Sequence, residues 1–282
     1  MRHVFSVKVG PRSFRVGSAW RAPIAALQSL YAGYPQSSDG IADYTVRLEP
    51  GGFGRRWIRP SIRIDGDYML PEAVPMPLAQ GLLAAEMGMN LQVALGERRF
   101  MLLHASSVER DGKAVIMTGE SGSGKSTLAA ALGERGWRLM GDEFALIDPA
   151  TGLAHAFPRP ISLKNAAIAA MAGAGEDRFG PLLPGTPKGD IRHLRPNADA
   201  IARMDEPAQP VLILFPAFGH KRETRPVGQG EAFVRLTQAS TNYTHLGESG
   251  FAALTSLVAR RPAHAIDYGS TEDGVAAVEA LA

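Results

Sequence analysis

The chain has 282 residues, with 30 lysines and arginines against 28 aspartates and glutamates, and its formal net charge is only +2. That near balance gives no reason to expect a nucleic acid or a membrane partner. The absence of cysteine excludes disulfides, thiolate metal ligands and cysteine nucleophiles. Because the N-terminus alternates polar and apolar residues and lacks the apolar core of a signal peptide, we expect a cytoplasmic protein.

Residues 1–98 are predicted to form a small accessory α/β region. Alternating polarity predicts strands, and apolar residues three and four apart predict helices. The apolar stretch that begins at Leu78 is interrupted by polar residues, so it indicates a packed helix rather than a membrane span, with Leu82, Met87 and Leu91 buried on one side. The other predicted elements here are strands at residues 4–9, 13–16, 43–48 and 61–64 and a helix at residues 22–34.

An Asp-Gly turn at residues 111–112 predicts a hairpin between the apolar runs on either side of it. With those residues as the turn, positions 104, 106, 108 and 110 face positions 119, 117, 115 and 113 in that order. His104 is therefore expected opposite Gly119, at the mouth of the loop that follows. A histidine in an apolar run is more often a satisfied core residue, so both a structural and a functional role stay open for it.

The second strand of this hairpin runs into a glycine-rich loop and then an Ala/Leu-rich helix. The loop matches the pattern G-x-x-x-x-G-K-[ST], in which backbone N–H groups cradle phosphates, Lys125 reaches the outer phosphates and the Ser126 hydroxyl holds Mg²⁺. The alternative is a flexible linker between a strand and a helix. The predicted nucleotide-binding residues are Gly119, Glu120, Ser121, Gly122, Ser123, Gly124, Lys125, Ser126 and Thr127.

Two acidic residues, Asp142 and Glu143, follow the short apolar strand that comes after the loop helix. A right-handed crossover commonly returns such a strand beside the first one. Both carboxylates would then emerge at the strand ends where α/β sheets bind ligands. One could hold the metal or accept a proton, and the alternative is a surface turn.

Residues 157–165 predict a short strand held between prolines, and the small residues after it predict a helix at 166–172. A loop-rich stretch at 184–196 then carries Lys188, Arg192 and Arg195, which are candidates to neutralise phosphate charge, although basic loop residues are more often simply solvated. The apolar run 210–216 predicts a central strand. The remaining predictions are helices at 231–238 and 249–259, a strand at 263–268 and a helix from Thr271.

Together the block 103–106, the loop 118–126 and the segment 138–143 resemble the catalytic domain of bacterial HPr kinase/phosphorylase. Nearly the whole chain resembles the HPr-kinase-related (type A) group found beside peptide-modification genes, on the segments 56–60, 136–139, 158–165, 188–196 and 242–243. Some relatives in that group look like kinases that phosphorylate serine on ribosomally made peptide precursors, including lasso peptides.

The resemblance implies an α/β fold with a P-loop kinase domain of the HPr kinase C-terminal, PEP carboxykinase-like type. It matches Asp142 to the aspartate that takes the proton from the attacking serine, His104 to a histidine that assists it, and Glu143 to a second acidic position. One segment departs from the pattern: where HPr kinases have an acidic metal-holding segment, this chain has Ser162-Leu163-Lys164-Asn165.

The sequence therefore predicts an accessory region at 1–98 and a catalytic domain at 99–282. We expect an ATP- and Mg²⁺-dependent kinase acting on a serine of a protein or peptide. Its predicted catalytic residues are Asp142, His104, Glu143, Lys188 and Arg192, and its predicted metal ligands are Ser126, Asp142 and Glu143. A nucleotide-dependent peptide-binding or chaperone module and a small-molecule kinase are the alternatives. Because HPr kinases are hexamers, homo-oligomerisation also stays open.

Overall fold

A computed structural model of the protein describes residues 1–36, 40–70 and 72–282. The first part of the chain is a five-stranded sheet that carries two helices. Its elements are β1 (His3–Val9), β2 (Arg12–Ser18), α1 (Arg21–Leu30), β3 (Tyr44–Pro50), β4 (Ser61–Gly66), β5 (Met76–Pro77) and α2 (Gly81–Gly96). The sheet keeps the order of the sequence, from β1 to β5. The strands and helices predicted here are confirmed, with ends that differ by a few residues.

Helix α2 lies very close to the sheet, and this changes which of its residues are buried. A Cβ atom added at Gly88 would lie 2.6 Å from Val46 Cγ1, so glycine lets the helix backbone approach β3. Met87 precedes Gly88 in the helix and lies on the side away from the sheet, with 48% of its surface exposed. The prediction that Met87 is buried was wrong, whereas Leu82 is buried as expected.

From residue 99 onward, strands and short helices follow one another. The elements are, in order, β6 (Met101–Leu103), β7 (Ala105–Arg110), β8 (Lys113–Thr118), α3 (Lys125–Gly133), β9 (Arg138–Gly141), β10 (Ala145–Ile147), β11 (Ala154–His155), β12 (Ile161–Lys164), α4 (Ala166–Ala170), β13 (Leu183–Thr186), β14 (Gly189–Leu194), α5 (Ala198–Ala202), β15 (Gln209–Phe218), β16 (Glu223–Pro226), α6 (Gln229–Ala239), α7 (Tyr243–Arg260), β17 (Ala263–Tyr268) and α8 (Thr271–Leu281). The protein is thus a mixed α/β structure with several sheets.

The largest sheet has the order β16-β17-β15-β8-β7-β9. Strands β8, β15 and β17 run parallel in its middle, which confirms the central strand predicted at 210–216. Strand β7 pairs antiparallel with β8 in the predicted hairpin register, from Arg110 opposite Lys113 to Ala105 opposite Thr118. None of the helices among the described residues is long and apolar enough to cross a bilayer.

The expectation that β9 lies beside β8 was wrong, because β7 stands between them. The tight Asp-Gly hairpin places β7 on one edge of β8, and β15 occupies the other edge. Strand β9 therefore pairs with the outer edge of β7. Since two antiparallel steps restore the direction, β9 still runs parallel to β8, and both strands end at the same edge of the sheet.

Two further expectations need correction. The apolar run before the hairpin is interrupted at His104, where β6 leaves to pair with β10 in a small separate sheet. The stretch 184–196, predicted as loop-rich, contains the hairpin β13–β14, which pairs with β12 in another three-stranded sheet. The short strand β12 and the helix after it are confirmed, although that helix is only five residues long.

One hydrophobic cluster extends across the predicted boundary at residues 98–99. Phe14 of β2 and Val46 of β3 share it with Phe100 and Phe157. Polar contacts cross the boundary as well: the buried Arg159 guanidinium donates to the Glu86 carboxylate at 2.5 Å and to the Tyr31 hydroxyl at 3.1 Å. The accessory region and the rest of the chain are therefore packed together, and the division into two domains stays a prediction.

Candidate functional site

A glycine loop (residues 119–124) connects the carboxyl end of β8 to the N-terminus of α3. Gly122 and Gly124 have φ angles of 89° and 90°, in the left-handed region that glycine adopts without strain. A Cβ atom on Gly124 would also lie 2.5 Å from the Tyr268 hydroxyl, so this position has no room for a side chain. The loop leads directly into the positive end of the α3 dipole, an arrangement suited to binding anions.

Lys125, the first residue of α3, is buried, with only 8% of its surface exposed. Its Nζ donates to the carbonyl oxygens of Gly119 at 2.7 Å and Glu120 at 2.9 Å. Burial lowers the pKa of Lys125, while the nearby Asp142 and Glu143 carboxylates oppose that shift. An ammonium group has three protons to donate, so the third is available to a ligand beside the loop.

Asp142 follows β9 and is 3% exposed. The Ser106 hydroxyl of β7 donates a 2.5 Å hydrogen bond to its Oδ1. Its Oδ2 is buried and has no hydrogen-bond partner within the part of the chain described. Burial raises the pKa of Asp142 and the charge of Glu143 raises it further, whereas the Ser106 and Ser126 hydroxyls lower it. The site therefore presents a buried carboxyl group with one oxygen free to accept a proton or a cation.

His104 and Glu143 lie together next to this carboxyl group. The His104 Nδ1 and Glu143 Oε2 atoms are 3.7 Å apart, and both side chains are partly exposed. The strand ladder ends one pair before the expected pairing of His104 with Gly119. Instead, the Thr118 hydroxyl donates to the His104 carbonyl oxygen at 2.9 Å. The expected pairing is absent, yet the histidine side chain still lies beside the glycine loop.

A pocket of about 420 Å³ gathers most of the predicted site residues. The predicted catalytic and metal residues that line it are His104, Ser126, Asp142, Glu143 and Lys188. The predicted nucleotide-binding residues that line it, besides Ser126, are Ser121, Gly122, Gly124, Lys125 and Thr127. Gly119, Glu120 and Ser123 instead line a second pocket of about 1010 Å³ on another side of the loop. Ser123 Oγ is buried there without a hydrogen-bond partner among the described residues.

The predicted residue Arg192 lines neither of these two pockets. Its guanidinium pairs with the Glu176 carboxylate, donates to the Gly180 carbonyl oxygen at 2.8 Å and lies 4.5 Å from the Phe179 ring centroid. These contacts hold the Arg192 side chain against the segment that precedes β13. The structure therefore places Arg192 apart from these two pockets, whereas Lys188, in the turn between β13 and β14, lines the first pocket.

Several lining residues were not predicted as site residues. Lys164 stands in the segment that departs from the HPr kinase pattern, and it lines the pocket from the end of β12. Phe218 and Tyr268 end the parallel strands β15 and β17, and Thr271 begins α8. The rule that ligands bind at the carboxyl ends of parallel strands could have identified both aromatic residues once the strands were assigned.

Among the described residues, no group of three or more histidine, aspartate or glutamate side chains is arranged to hold a metal ion. Magnesium sites in nucleotide-binding proteins commonly need only one or two carboxylates, because phosphate oxygens and water complete the coordination. The Ser126 hydroxyl, the unpaired Oδ2 of Asp142 and the partly exposed Glu143 carboxylate are hard oxygen ligands of the required kind. These residues fit a magnesium ion that arrives with a nucleotide.

Comparison with known proteins gives partial matches. The model of the family described as "SynChlorMet cassette protein ScmC" matches residues 83–167, a segment that includes the glycine loop and Asp142. The solved structure of the HPr(Ser) kinase/phosphatase from Coxiella burnetii matches with 14% sequence identity and a TM-score of 0.29, over 64% of this chain and 92% of that chain. No curated protein matches the chain. Neither match assigns the chain to a family.

Proposed function

We propose that this protein is an ATP-dependent kinase that transfers the γ-phosphate of ATP to a serine hydroxyl of a protein or peptide. The observation that carries the proposal is a juxtaposition: the buried Lys125 ammonium and the buried Asp142 carboxyl, with its unpaired oxygen, line one pocket at the start of α3. A phosphate cradle and a proton acceptor are the two parts that phosphoryl transfer requires from a protein.

The glycine loop would bind the phosphates. Its backbone N–H groups and the α3 dipole attract negative charge without a side chain. Lys125 adds a positive charge, and its attraction to phosphate is stronger because the ammonium group is buried. Ser126 and the Glu143 carboxylate would hold Mg²⁺, which when bound would neutralise phosphate charge, and the unpaired oxygen of Asp142 would stay available as the proton acceptor. Catalysis of phosphoryl transfer depends mostly on this positioning and charge neutralisation.

Asp142 would accept the proton of the attacking serine. As the serine oxygen forms a bond to the γ-phosphorus, the bond from that phosphorus to the β–γ bridging oxygen breaks, ADP leaves, and the hydroxyl proton passes to Asp142. A pKa raised by burial makes a carboxylate a better base near neutral pH. His104, whose Nδ1 lies 3.7 Å from Glu143 Oε2, would assist Asp142 electrostatically at this end of the pocket.

Lys164 and Lys188 would supply positive charge where the phosphoryl group is transferred. Both line the pocket together with Asp142. Cations that are already in place when negative charge develops lower the barrier without reorganising. Lys188 would have the role predicted for it, and Lys164 would supply the second positive charge in place of Arg192, whose guanidinium pairs with Glu176.

The test is incubation of the protein with labelled ATP and serine-containing peptides encoded by neighbouring genes. The parent is expected to form phosphoserine. Lys125→Ala should lose ATP binding, whereas Asp142→Asn should keep it and transfer phosphate about 10²–10⁴ times more slowly. Lys221→Ala, a change at an exposed lysine, is the matched control. If the Lys125 and Asp142 variants transfer phosphate as fast as the parent, the proposal is wrong.

The same experiment separates the alternative functions. ATP binding without any phosphorylated product would indicate a nucleotide-dependent peptide-binding or chaperone module. Label recovered on a small metabolite rather than on a peptide would indicate a small-molecule kinase.

A further inference from the structure

Two aromatic side chains stand at the carboxyl edge of the main sheet, next to the glycine loop. Phe218 ends β15 and Tyr268 ends β17, and the two residues are register partners in these parallel strands. Their ring centroids are 5.7 Å apart, and their planes are inclined at 65° in an edge-to-face pair. Such pairs fix both rings relative to each other.

Both side chains pack directly on the loop at Gly124. A Cβ atom there would lie 2.5 Å from the Tyr268 hydroxyl and 3.1 Å from Phe218 Cβ. The Tyr268 hydroxyl also donates to the Ser123 carbonyl oxygen at 3.4 Å. The aromatic pair therefore forms one wall of the pocket at the point where the loop becomes α3.

The two rings differ sharply in exposure. Tyr268 is 2% exposed, whereas Phe218 is 50% exposed, although it continues a strand whose preceding residues are mostly buried. Tyr268 thus supports a second ring that lines the pocket and stays half exposed. A large, rigid aromatic surface at the mouth of a phosphate-binding loop is the kind of surface on which a nucleic acid base stacks.

The strand order places this wall away from the acidic residues. Phe218 ends β15 on one side of β8, whereas Asp142 follows β9, two strands away on the other side. Three strand spacings separate β15 from β9, or roughly 14 Å. A nucleotide whose phosphates lie on the loop can therefore direct its outer phosphate toward Asp142 and its base toward Phe218.

We infer that Phe218 is the stacking platform for the base of a purine nucleotide, held in position by Tyr268. This inference rests on the proposed function, since it names the part of the same pocket that binds the nucleoside. Stacking adds affinity for the base without contributing to phosphate binding. The Phe218 ring should therefore increase the affinity for ATP. It should not change the affinity for inorganic tripolyphosphate, which has the same phosphates and no base.

The experiment compares the affinities of Mg-ATP and magnesium tripolyphosphate by titration calorimetry. The parent should bind ATP at least about tenfold more tightly than tripolyphosphate. The Phe218→Ala variant should bind ATP about tenfold more weakly than the parent and bind tripolyphosphate with the parent's affinity. The Phe218→Trp variant, which keeps an aromatic ring, should bind ATP as the parent does. Phe251→Ala is the matched control, because Phe251 is similarly exposed, at 54%, but lies on α7 outside the pocket.

Four outcomes would overturn the inference. Equal weakening of both ligands by Phe218→Ala would show that the residue only supports the loop. An unchanged ATP affinity in Phe218→Ala would show that the base binds elsewhere. A parent that binds both ligands equally would leave no base subsite at all, while a parent that binds neither would overturn the proposed function as well.

Discussion

The Ser106 hydroxyl donates a 2.5 Å hydrogen bond to Oδ1 of Asp142, and both residues are buried. Ser106 belongs to β7, and β7 stands between β8, which leads into the glycine loop, and β9, which leads to Asp142. The bond therefore fixes one oxygen of the carboxyl group, while the other has no hydrogen-bond partner among the described residues. It also explains how an inserted strand can help to position the proposed proton acceptor.

We predict that Ser106→Ala slows phosphate transfer while ATP affinity stays within about twofold of the parent. Without the hydroxyl, Oδ1 of the buried carboxyl group loses its hydrogen-bond donor, which costs about 1–3 kcal/mol of unfolding free energy. The carboxyl group is then free to rotate away from the attacking hydroxyl. Chemical denaturation, ATP titration and the transfer rate measure the three quantities.

Ser107→Ala is the matched control for this change, because the next residue of a strand points to the opposite face. Ser107 is also buried, so a general effect of removing a buried hydroxyl would appear in both variants. A transfer rate that falls equally in the two variants would argue against a specific role for Ser106.

Lys188 and Arg192 are expected to differ, although the sequence suggested the same role for both. Lys188 lines the pocket, whereas the Arg192 guanidinium is engaged by Glu176 and Gly180. Lys188→Ala should reduce the transfer rate about tenfold, less than for a buried donor because Lys188 is exposed. Arg192→Ala should leave the rate within about twofold and cost at most about 1 kcal/mol of stability, since Glu176 is exposed.

The comparison is made with one peptide substrate under identical conditions. Equal losses of activity in the two variants would contradict this placement of Arg192. An unaffected Lys188→Ala enzyme would remove Lys188 from the site.

Arg159 connects the accessory region to the segment between β11 and β12, and its removal should lower the stability of the protein. Its guanidinium is buried and donates to the side chains of Glu86, Asn90 and Tyr31. Arg159→Met would leave the Glu86 carboxylate buried without its partner, which typically costs about 3–5 kcal/mol. Thermal unfolding should show a clearly lower midpoint. Arg63→Met, a change at an exposed arginine of β4, is the control.

The double variant Arg159→Met, Glu86→Leu should recover part of that loss, because it removes the unpaired charge together with its partner. If Arg159→Met unfolds at the same temperature as the parent, the ion pair does not hold the two regions together.

The parts of the site that follow from local sequence could be predicted, and those that depend on distant partners could not. The register of the β7–β8 hairpin follows from two turn residues, and the glycine loop follows from an eight-residue pattern. Lys188 lines the pocket and Arg192, only four residues away, pairs with Glu176 instead, and this difference depends on Glu176 and on the small sheet around β14. Phe218 and Tyr268 become neighbours only because β15 and β17 pair in parallel, and that pairing has no local signal.

Glu97 should make the stability of the protein depend on pH in the acid range. Its carboxylate is buried at the end of α2, where Arg12 Nε and Nη2 donate at 2.6 and 2.7 Å and the Arg99 backbone N–H donates at 2.6 Å. Burial acts to raise the pKa of Glu97, but Arg12 and the backbone N–H groups outweigh it and lower the pKa below the usual value. The folded state therefore binds this proton less readily than the unfolded state does.

A lowered folded-state pKa contributes stability that is fully present above the unfolded-state value, near pH 4.3, and is lost as the pH falls through the folded-state pKa. Glu97→Gln removes the charge, so it should cost about 1–3 kcal/mol of unfolding free energy at pH 7. The difference from the parent should shrink below about pH 4. Urea denaturation at a series of pH values measures this difference in unfolding free energy. The control is Glu223→Gln, a change at an exposed glutamate of β16. A constant difference between pH 7 and pH 3 would mean that the charge of Glu97 does not contribute to folding, and that the loss reflects altered packing around Arg12.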